Sequence, residues 1–284
     1  MKIGFLGYGE AARAFHESLS RSGLSFIAYD ILLDRDDEVM AEAIRSRGGT
    51  VARTIAALAE ADWIFSAVTA DQSLLAIEPL LPHLRQGQVL IDINSVSPDR
   101  KRQTAAVVEA AGAVYLDMAV MAPVHPRKHQ TPVLIAGNVA ERLLPELEAL
   151  GFSASIAGSA PGAATAIKMV RSLFVKGLEA ITVEALLAAK ATGCFEEILT
   201  SLSGSFPGLD WPKFAEYQFE RTIVHGRRRA AEMRESAATL DALGLNGNLA
   251  REIAEVQKRM GAAAGKGGSL EQTVALVLSN RLGR

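Results

Sequence analysis

The feature that most constrains the fold of this chain is a glycine-rich turn that follows its first apolar run. The run KIGFLG (2–7) has the composition of a strand and ends on Gly7, and Gly9 and Ala12 follow at the spacing G-x-G-x-x-G/A. Helical apolar spacing begins directly after the turn. This context predicts a β-α-β unit in which Gly7 permits the tight turn, Gly9 opens the backbone to a ligand and Ala12 lets the helix pack closely on the sheet.

The first half of the chain repeats this alternation of apolar runs and amphipathic stretches. Ser97 and Pro98 fit the N-cap and the first position of one of the helices. Helices of about 10–15 residues between strands are typical of a parallel sheet. The pattern therefore predicts an α/β domain at 1–157, a Rossmann-type doubly wound sheet with helices on both faces. Further strands are predicted at 25–30, 62–69, 87–94, 113–120 and 131–137.

The second half of the chain has a different pattern. Strand signals end near residue 157, and the apolar spacing is helical from there onward. Ser269 and Gln272 form a capping-box pattern that predicts the start of the final helix. We therefore predict an all-helical C-terminal domain at 158–284.

Composition excludes several classes of partner. The net charge is -2 and there is no polybasic block, so the electrostatic footprint of a nucleic-acid-binding protein is missing. Cys194 is the single cysteine, which excludes an intramolecular disulfide and fits a reducing compartment. The first apolar run is too short for a signal-peptide core or a transmembrane helix. We expect a cytoplasmic protein without a membrane partner.

The glycine turn predicts a dinucleotide cofactor. Asp30 ends the second predicted strand, where a carboxylate accepts a hydrogen bond from a ribose 2′-hydroxyl and repels a 2′-phosphate. NAD is therefore favoured over NADP, although Arg35 is close enough in sequence to reach a phosphate. A nucleotide-free turn and a flavin site are the alternatives. The predicted cofactor contacts in this region are Gly7, Tyr8, Gly9, Glu10, Ala11 and Asp30.

A second motif follows the predicted sheet. Gly162, Ala164 and Lys168 have the spacing G-x-A-x-x-x-K at the opening of a long helical stretch. With the glycine turn before it, this order resembles the β-hydroxyacid dehydrogenase family, which includes 3-hydroxyisobutyrate and 6-phosphogluconate dehydrogenases. In that family a G-x-G-x-x-x-K-x-x-N-N stretch opens an interdomain helix and its lysine is the catalytic acid/base. The resemblance thus implies that role for Lys168.

The resemblance extends to segments that contact the cofactor. DINSVSP (92–98) is similar to the family segment D-x-S-T-x-x-P, with Ser95 in the place of the threonine, and the turn at 67–69 matches another cofactor-contacting turn. These similarities imply further cofactor contacts at Val68, Thr69, Asn94 and Ser95. The family also implies a homodimer formed through the helical domain, for which the Ala/Leu-rich stretch 176–192 is suited.

Physical arguments support Lys168 independently of the resemblance. A free lysine has a pKa of about 10.4, too high for an efficient base near neutrality. The opening turns of a helix disfavour positive charge, Arg171 lies three residues on, and the neighbouring side chains are apolar. All three effects predict a lowered pKa for Lys168. The alternative is a snorkelling surface lysine.

The predicted substrate loop departs from the family pattern D-A-P-V-S-G-G. The aligned stretch is DMAVMAP (117–123), in which Met121 replaces the serine and Pro123 has no backbone N–H. The loop continues as HPRKH (125–129), whose cations suit an anionic substrate but also suit a solvated surface. Pro126 argues against a metal pair of the two histidines, and we expect no metal. The predicted substrate contacts are Met121, His125, Arg127, Arg171 and Ser172.

The resemblance implies an NAD(P)-dependent oxidoreductase that moves a hydride between a nicotinamide cofactor and a small hydroxy acid or its oxo form. Two alternatives remain. One is an imine reductase on the same fold, which the retained Lys168 argues against. The other is a dinucleotide-binding protein without catalytic activity.

Overall fold

The structure, a computed structural model, describes residues 1–20, 23–35, 37–263, 265 and 267–283. The chain divides into two compact units, Met1–Lys168 and Met169–Arg284. This division lies inside a helix, whereas the predicted domain boundary after residue 157 lies at the end of the last strand; the predicted domain ranges stay a prediction.

The first unit contains an eight-stranded sheet in the order β3-β2-β1-β4-β5-β6-β7-β8. Strands β1 to β6 run parallel to one another, as predicted. The strand bounds are β1 Lys2–Leu6, β2 Ser25–Tyr29, β3 Thr50–Val51, β4 Trp63–Ser66, β5 Val89–Asp92, β6 Val114–Val120, β7 Val133–Ala136 and β8 Ala154–Gly158.

Strand β7 differs from the prediction of a wholly parallel sheet, because it pairs antiparallel with β6. A parallel crossover needs a dozen or more connecting residues, usually in a helix. Residues 121–132 instead form an irregular loop with the short 3-10 helix Lys128–Gln130, so the chain turns back directly.

The helices of the first unit agree with the prediction only in part. The α-helices are α1 Glu10–Leu19, α2 Glu38–Arg45, α3 Pro98–Ala110 and α4 Ala140–Ala149. The cap of α3 is confirmed, since the Ser97 side chain accepts a hydrogen bond from the Arg100 N–H and Pro98 is the first helical residue. Between β3 and β5, the connections contain 3-10 helices instead of the expected helices of about 10–15 residues. Pro79 and Pro82 lack the backbone N–H that a longer α-helix requires there.

Both faces of the sheet are buried, which explains why its strands are continuously apolar. Neighbouring residues of β1 point to opposite faces: Phe5 lies in one core cluster with Phe15 and Phe65, and Leu6 lies in the other with Leu90. The order of the strands reverses between β1 and β4. In open α/β sheets ligands bind at the carboxyl ends of the strands beside such a reversal.

The second unit is helical in the residues that the structure describes, as predicted. Its helices are α5 Ala163–Thr192, which begins in the first unit, α6 Phe195–Ser205, α7 Trp211–Ala242, α8 Asn248–Met260 and α9 Leu270–Leu282. The predicted cap of α9 is confirmed, because the Ser269 hydroxyl accepts a hydrogen bond from the Gln272 N–H at 3.2 Å. Over the described part of the chain, no helix has the length and apolar character needed to cross a bilayer.

Candidate cofactor and active site

The glycine turn after β1 has the geometry that the sequence motif predicts. Gly7 has φ +83°, and a Cβ on it would lie 2.7 Å from the Ala67 carbonyl oxygen, so both conformation and space require glycine. At Gly9, by contrast, an added Cβ would meet no described atom within 4 Å. Gly9 is exposed and immediately precedes α1, where backbone N–H groups and the helix dipole favour an anion. This arrangement fits the pyrophosphate of a dinucleotide.

Tyr8 fixes the glycine turn through three hydrogen bonds. Its backbone N–H donates to Asp30 Oδ2 at 2.8 Å, and its carbonyl accepts from Arg13 Nε at 2.8 Å. Its ring is fully buried, and the hydroxyl forms a 2.5 Å hydrogen bond with His16 Nδ1. The Tyr8 ring therefore points into the core and its backbone N–H is already bonded to Asp30, so the predicted cofactor contact of Tyr8 stays a prediction.

Asp30 follows β2 and is held in a fixed orientation. Its Oδ1 accepts the Leu32 N–H at 3.1 Å, in addition to the bond from Tyr8 to Oδ2. Each carboxylate oxygen keeps a second lone pair that suits a ribose hydroxyl. Glu10 and Arg35 are exposed and Ala11 is half-buried. These exposures do not narrow the choice of dinucleotide.

The exits of β4 and β5 are joined by Asn94. Its Oδ1 accepts the Val68 N–H at 2.7 Å, and its Nδ2 donates to Ser66 Oγ at 2.9 Å. Asn94 is almost fully buried and Thr69 is exposed. The Asn94 side chain thus ties two strand ends together, and its predicted cofactor contact stays a prediction.

Lys168 lies at the edge of the sheet that is formed by the carboxyl ends of the parallel strands. Its Nζ is 2.6 Å from Ser95 Oγ, three residues beyond the end of β5. Gly162 has φ +95°, and a Cβ there would lie 2.9 Å from the Pro98 carbonyl oxygen, so the start of α5 packs against the start of α3. Gly162 and Thr165 both donate backbone N–H groups to Asp117 Oδ2, at 3.1 and 3.2 Å. The structure therefore brings the predicted Lys168 and Ser95 together.

Comparison with known proteins identifies the family. A family model described as the NAD binding domain of 6-phosphogluconate dehydrogenase matches residues 2–158, more than half of the 284 residues. The chain belongs to the β-hydroxyacid dehydrogenase family. A second model, described as a domain of unknown function (DUF1932), matches residues 189–260.

Individual known proteins resemble the chain over most of its length. A solved structure of a conserved hypothetical protein from Sinorhizobium meliloti 1021 has 34% identity and a TM-score of 0.78, covering 99% of this chain and 96% of that one. The 2-hydroxy-3-oxopropionate reductase of Escherichia coli (strain K12) is 26% identical over 98% of this chain and 96% of its own length. The mitochondrial 3-hydroxyisobutyrate dehydrogenase of Bos taurus is 25% identical, over 74% of this chain and 63% of its own.

In the predicted substrate loop of this β-hydroxyacid dehydrogenase family member, two basic side chains contact α1. Lys128 Nζ lies 2.6 Å from Glu17 Oε1, and His129 Nδ1 lies 2.6 Å from Ser18 Oγ, so two of the basic side chains of the loop are fastened to α1. These two side chains have partners within the fold, and the interpretation of the HPRKH loop as an anion site stays a prediction. His125 and Arg127 are exposed.

The remaining predicted substrate residues have separate surroundings. Met121 is half-buried against the small cluster of Ala119, Ala136 and Ala164, so the serine of the family pattern is replaced by an apolar packing residue. Arg171 and Ser172 belong to the second unit, where Arg171 is exposed and Ser172 is buried.

The residues that the structure describes contain no group of three or more side chains that could together bind a metal ion.

The sequence interpretation missed one group of the site, the buried Lys101 and the role of Asp92 and Asp117 around it. Lys101 stands between Arg100 and Arg102 and has the appearance of a solvated helix face. A usable signal was present in the strands, because an aspartate ends or interrupts each of two strands that are otherwise apolar. A carboxylate in a buried strand requires a partner.

Proposed function

We propose that this protein is an NAD-preferring dehydrogenase or reductase that acts on a small hydroxy acid or its oxo form, with Lys168 as general acid/base. The observation that carries the proposal is the contact of Lys168 Nζ with Ser95 Oγ at the same sheet edge as the glycine turn. A nicotinamide cofactor, when bound, supplies or accepts the hydride of this reaction.

Residues of the chain account for cofactor binding and for the transfer of the substrate hydroxyl proton. Gly7 and Gly9 shape the turn for the pyrophosphate, and Asp30 receives the ribose hydroxyls. In the oxidation direction the neutral amine of Lys168 takes the proton of the substrate hydroxyl, and in reduction its ammonium returns one. Ser95 Oγ accepts a hydrogen bond from the ammonium and donates one to the amine, so it holds Nζ in both protonation states.

The family and the exposed cations of the chain support this substrate class. The names of the two curated relatives specify 3-hydroxyisobutyrate and 2-hydroxy-3-oxopropionate, both small hydroxy-acid anions. His125, Arg127 and Arg171 are exposed cations or potential cations that suit a carboxylate. Met121 and Ser172 complete the proposed substrate contacts and favour a substrate different from that of the serine-containing loop.

The proposal is tested with Lys168→Ala. Loss of the proton-transferring group is expected to lower kcat by about 100-fold to 10,000-fold, because general acid–base catalysis contributes factors of this size. NADH binding, followed by the fluorescence of the dinucleotide, is expected to stay close to that of the wild type. Lys258→Ala is the matched control, since the Lys258 side chain is 63% exposed in the second unit. Wild-type turnover in Lys168→Ala would overturn the proposal, as would failure of the wild type to bind either NADH or NADPH.

An imine reductase is the competing activity on this fold. A comparison of wild-type turnover of hydroxy acids with that of cyclic imines separates the two, and we expect the hydroxy acids to be preferred because Lys168 supplies the proton for a carbonyl oxygen.

We also propose a homodimer and a cytoplasmic location. The dimer is supported by apolar side chains of α5 that are exposed in the second unit at helical spacing. They are Val170 at 56%, Phe174 at 68%, Leu178 at 38% and Ile181 at 67% exposure. An exposed apolar stripe of this length on one helix is typical of a surface that another chain covers.

A further inference from the structure

Lys101 is a fully buried lysine between two fully buried carboxylates. Its Nζ lies 3.0 Å from Asp92 Oδ1 and 3.3 Å from Asp117 Oδ1, and it donates to the Asp92 carbonyl oxygen at 2.6 Å. All three side chains have 0% exposure. Replacement of a buried ion group by apolar side chains of similar volume is often neutral or stabilising, so a group of this kind is weak evidence for a role in stability.

Asp92 connects this buried group to the segment that carries Ser95. Asp92 Oδ1 accepts the Asn94 N–H at 2.9 Å, and Oδ2 accepts the Tyr115 hydroxyl at 2.8 Å. These bonds fix the first residues after β5, and the same short segment carries Ser95. The position of the Ser95 hydroxyl therefore depends on the orientation of the Asp92 carboxylate.

The Asp117 side of the group leads to Lys168. Asp117 Oδ2 accepts the N–H groups of Gly162 and Thr165 at the opening of α5, where these donors have no partner within the helix. The Thr165 hydroxyl also donates to the Val96 carbonyl at 3.1 Å. Lys168 follows Thr165 by three residues, about one helical turn. The direction of its side chain thus depends on how Asp117 holds the helix start.

We propose that Lys101 is a positioning residue that sets the Lys168–Ser95 contact, by tying the exit of β5 and the start of α5 to one buried ammonium. This inference rests on the proposed role of Lys168 as the acid/base. Lys101 itself has no exposed atoms and takes no part in the proton transfer.

Removal of the ammonium has a definite physical consequence. Asp92 and Asp117 are register partners on the adjacent strands β5 and β6, and without Lys101 their carboxylates face each other unscreened. Burial already raises the pKa of Asp117. One carboxylate must then take up a proton or move away from the other, and either change weakens a bond to Asn94 or to the N–H groups of α5.

The test compares Lys101→Met, the double variant Lys101→Met/Asp117→Asn, and the control Thr104→Val. The double variant removes one positive and one negative charge, so it restores the net charge of the group, and an asparagine Oδ1 still accepts the two N–H bonds of α5. Thr104 lies on the same helix as Lys101 and is equally buried, with its hydroxyl bonded to the Arg100 carbonyl. Lys168→Ala is measured beside them.

The readouts are the melting temperature, NADH affinity, kcat and KM with the small hydroxy acid or oxo acid that the wild type turns over fastest, and amide hydrogen exchange of residues 93–98 and 159–168. Lys101→Met is expected to lower kcat by about 100-fold, the effect of a misplacement of about 1 Å, with smaller changes in KM and NADH affinity. Exchange in both segments is expected to rise. In the double variant the melting temperature recovers while kcat stays low. Thr104→Val keeps wild-type kcat and exchange.

Two results overturn the inference. One is wild-type kcat or wild-type exchange protection in a folded Lys101→Met protein, and the other is full recovery of kcat in the double variant, which would show that only charge balance matters. If Lys101→Met does not fold, the double variant decides alone. Failure of the proposed function is seen separately, as wild-type turnover in Lys168→Ala.

Discussion

At the scale of the residue, the properties of the cofactor site depend on side chains that the backbone has already oriented. Asp30 accepts N–H groups from Tyr8 and Leu32, so its charge is held in one place after β2. Tyr8 in turn depends on His16, which is fully buried and stacks near Phe5 and Phe26. Each of these two arrangements leads to a measurable consequence.

The fixed charge of Asp30 predicts the choice of dinucleotide. Two like charges about 4 Å apart repel by about 1–4 kcal/mol at dielectric constants between those of water and a protein surface, so wild-type protein is expected to bind NADH at least about fivefold more tightly than NADPH. Asp30→Asn keeps the acceptor for the Tyr8 N–H and removes the charge, which is expected to erase most of this difference. Fluorescence titration with both dinucleotides measures it. Asp34→Asn, which alters an exposed carboxylate bonded to Tyr29, is the control. Equal affinity of the wild type for both dinucleotides would contradict the role of Asp30.

The buried His16 predicts a loss of stability in mild acid. Burial, with a smaller contribution from Arg47, lowers the pKa of His16 to about 4. Because an unfolded histidine has a pKa of about 6.5, the unfolded state binds more protons between these two values. The contribution of His16 is therefore fully present above pH 6.5 and is lost progressively as the pH falls toward 4. Urea unfolding of wild type and His16→Gln across this range checks it, and an identical pH slope for both proteins would refute the assignment.

At the scale of the element, two glycines of one turn have different tasks. A Cβ on Gly7 would collide with the Ala67 carbonyl and Val68, whereas a Cβ on Gly9 would enter open space. The first glycine is thus required by the fold, whereas the proposed task of the second is to leave room for the pyrophosphate.

Paired alanine variants separate these tasks. Gly7→Ala is expected to lower the free energy of unfolding by at least about 1–2 kcal/mol, the cost of a left-handed backbone for a residue with a side chain, and to lose NADH binding as well. Gly9→Ala is expected to keep wild-type stability and lose NADH affinity, because the methyl group occupies the approach of the pyrophosphate. Thermal unfolding and NADH titration of both variants give the answer. A Gly9→Ala protein with wild-type NADH affinity would be inconsistent with a pyrophosphate at this turn.

The elements also show how far local sequence patterns carry the prediction. The strands and the caps at Ser97 and Ser269 were predictable because apolar runs and cap residues act within a few positions. The antiparallel β7 was not, since its direction depends on the loop before it. Lys101 was hidden because a charged residue in a helix normally faces water, and only the packing of α3 against β5 and β6 shows that it does not.

At the scale of the whole molecule, the fold of the family explains why Lys168, which is far from the glycine turn in sequence, lies at the same edge of the sheet. Residues 162–168 belong to the first unit, although they open the long helix of the second. The carboxyl ends of parallel strands collect Asp30, Asn94 and Ser95 at one edge, which is where α/β sheets place ligands. Arg171 and Ser172 belong to the other unit, and their contact with the substrate stays a prediction.

The apolar stripe on α5 predicts the assembly state. Wild-type protein is expected to be a dimer at micromolar concentration, because Phe174 and Ile181 are each about two-thirds exposed and apolar surface of this kind drives association. Phe174→Glu/Ile181→Glu is expected to be a folded monomer in sedimentation or light-scattering measurements. Val39→Glu, at a residue that is 81% exposed on α2, is the control and stays dimeric. A monomeric wild type would contradict the proposed homodimer.

The most direct test of the central claim is the pH dependence of kcat/KM for a hydroxy acid in the direction of oxidation and for its oxo form in the direction of reduction. If Lys168 exchanges the proton, kcat/KM for oxidation rises and kcat/KM for reduction falls with increasing pH as its ammonium loses a proton. That limb must vanish from the residual activity of Lys168→Ala. The same limb at the same pKa in Lys168→Ala would show that another group carries the proton, and the account would be wrong.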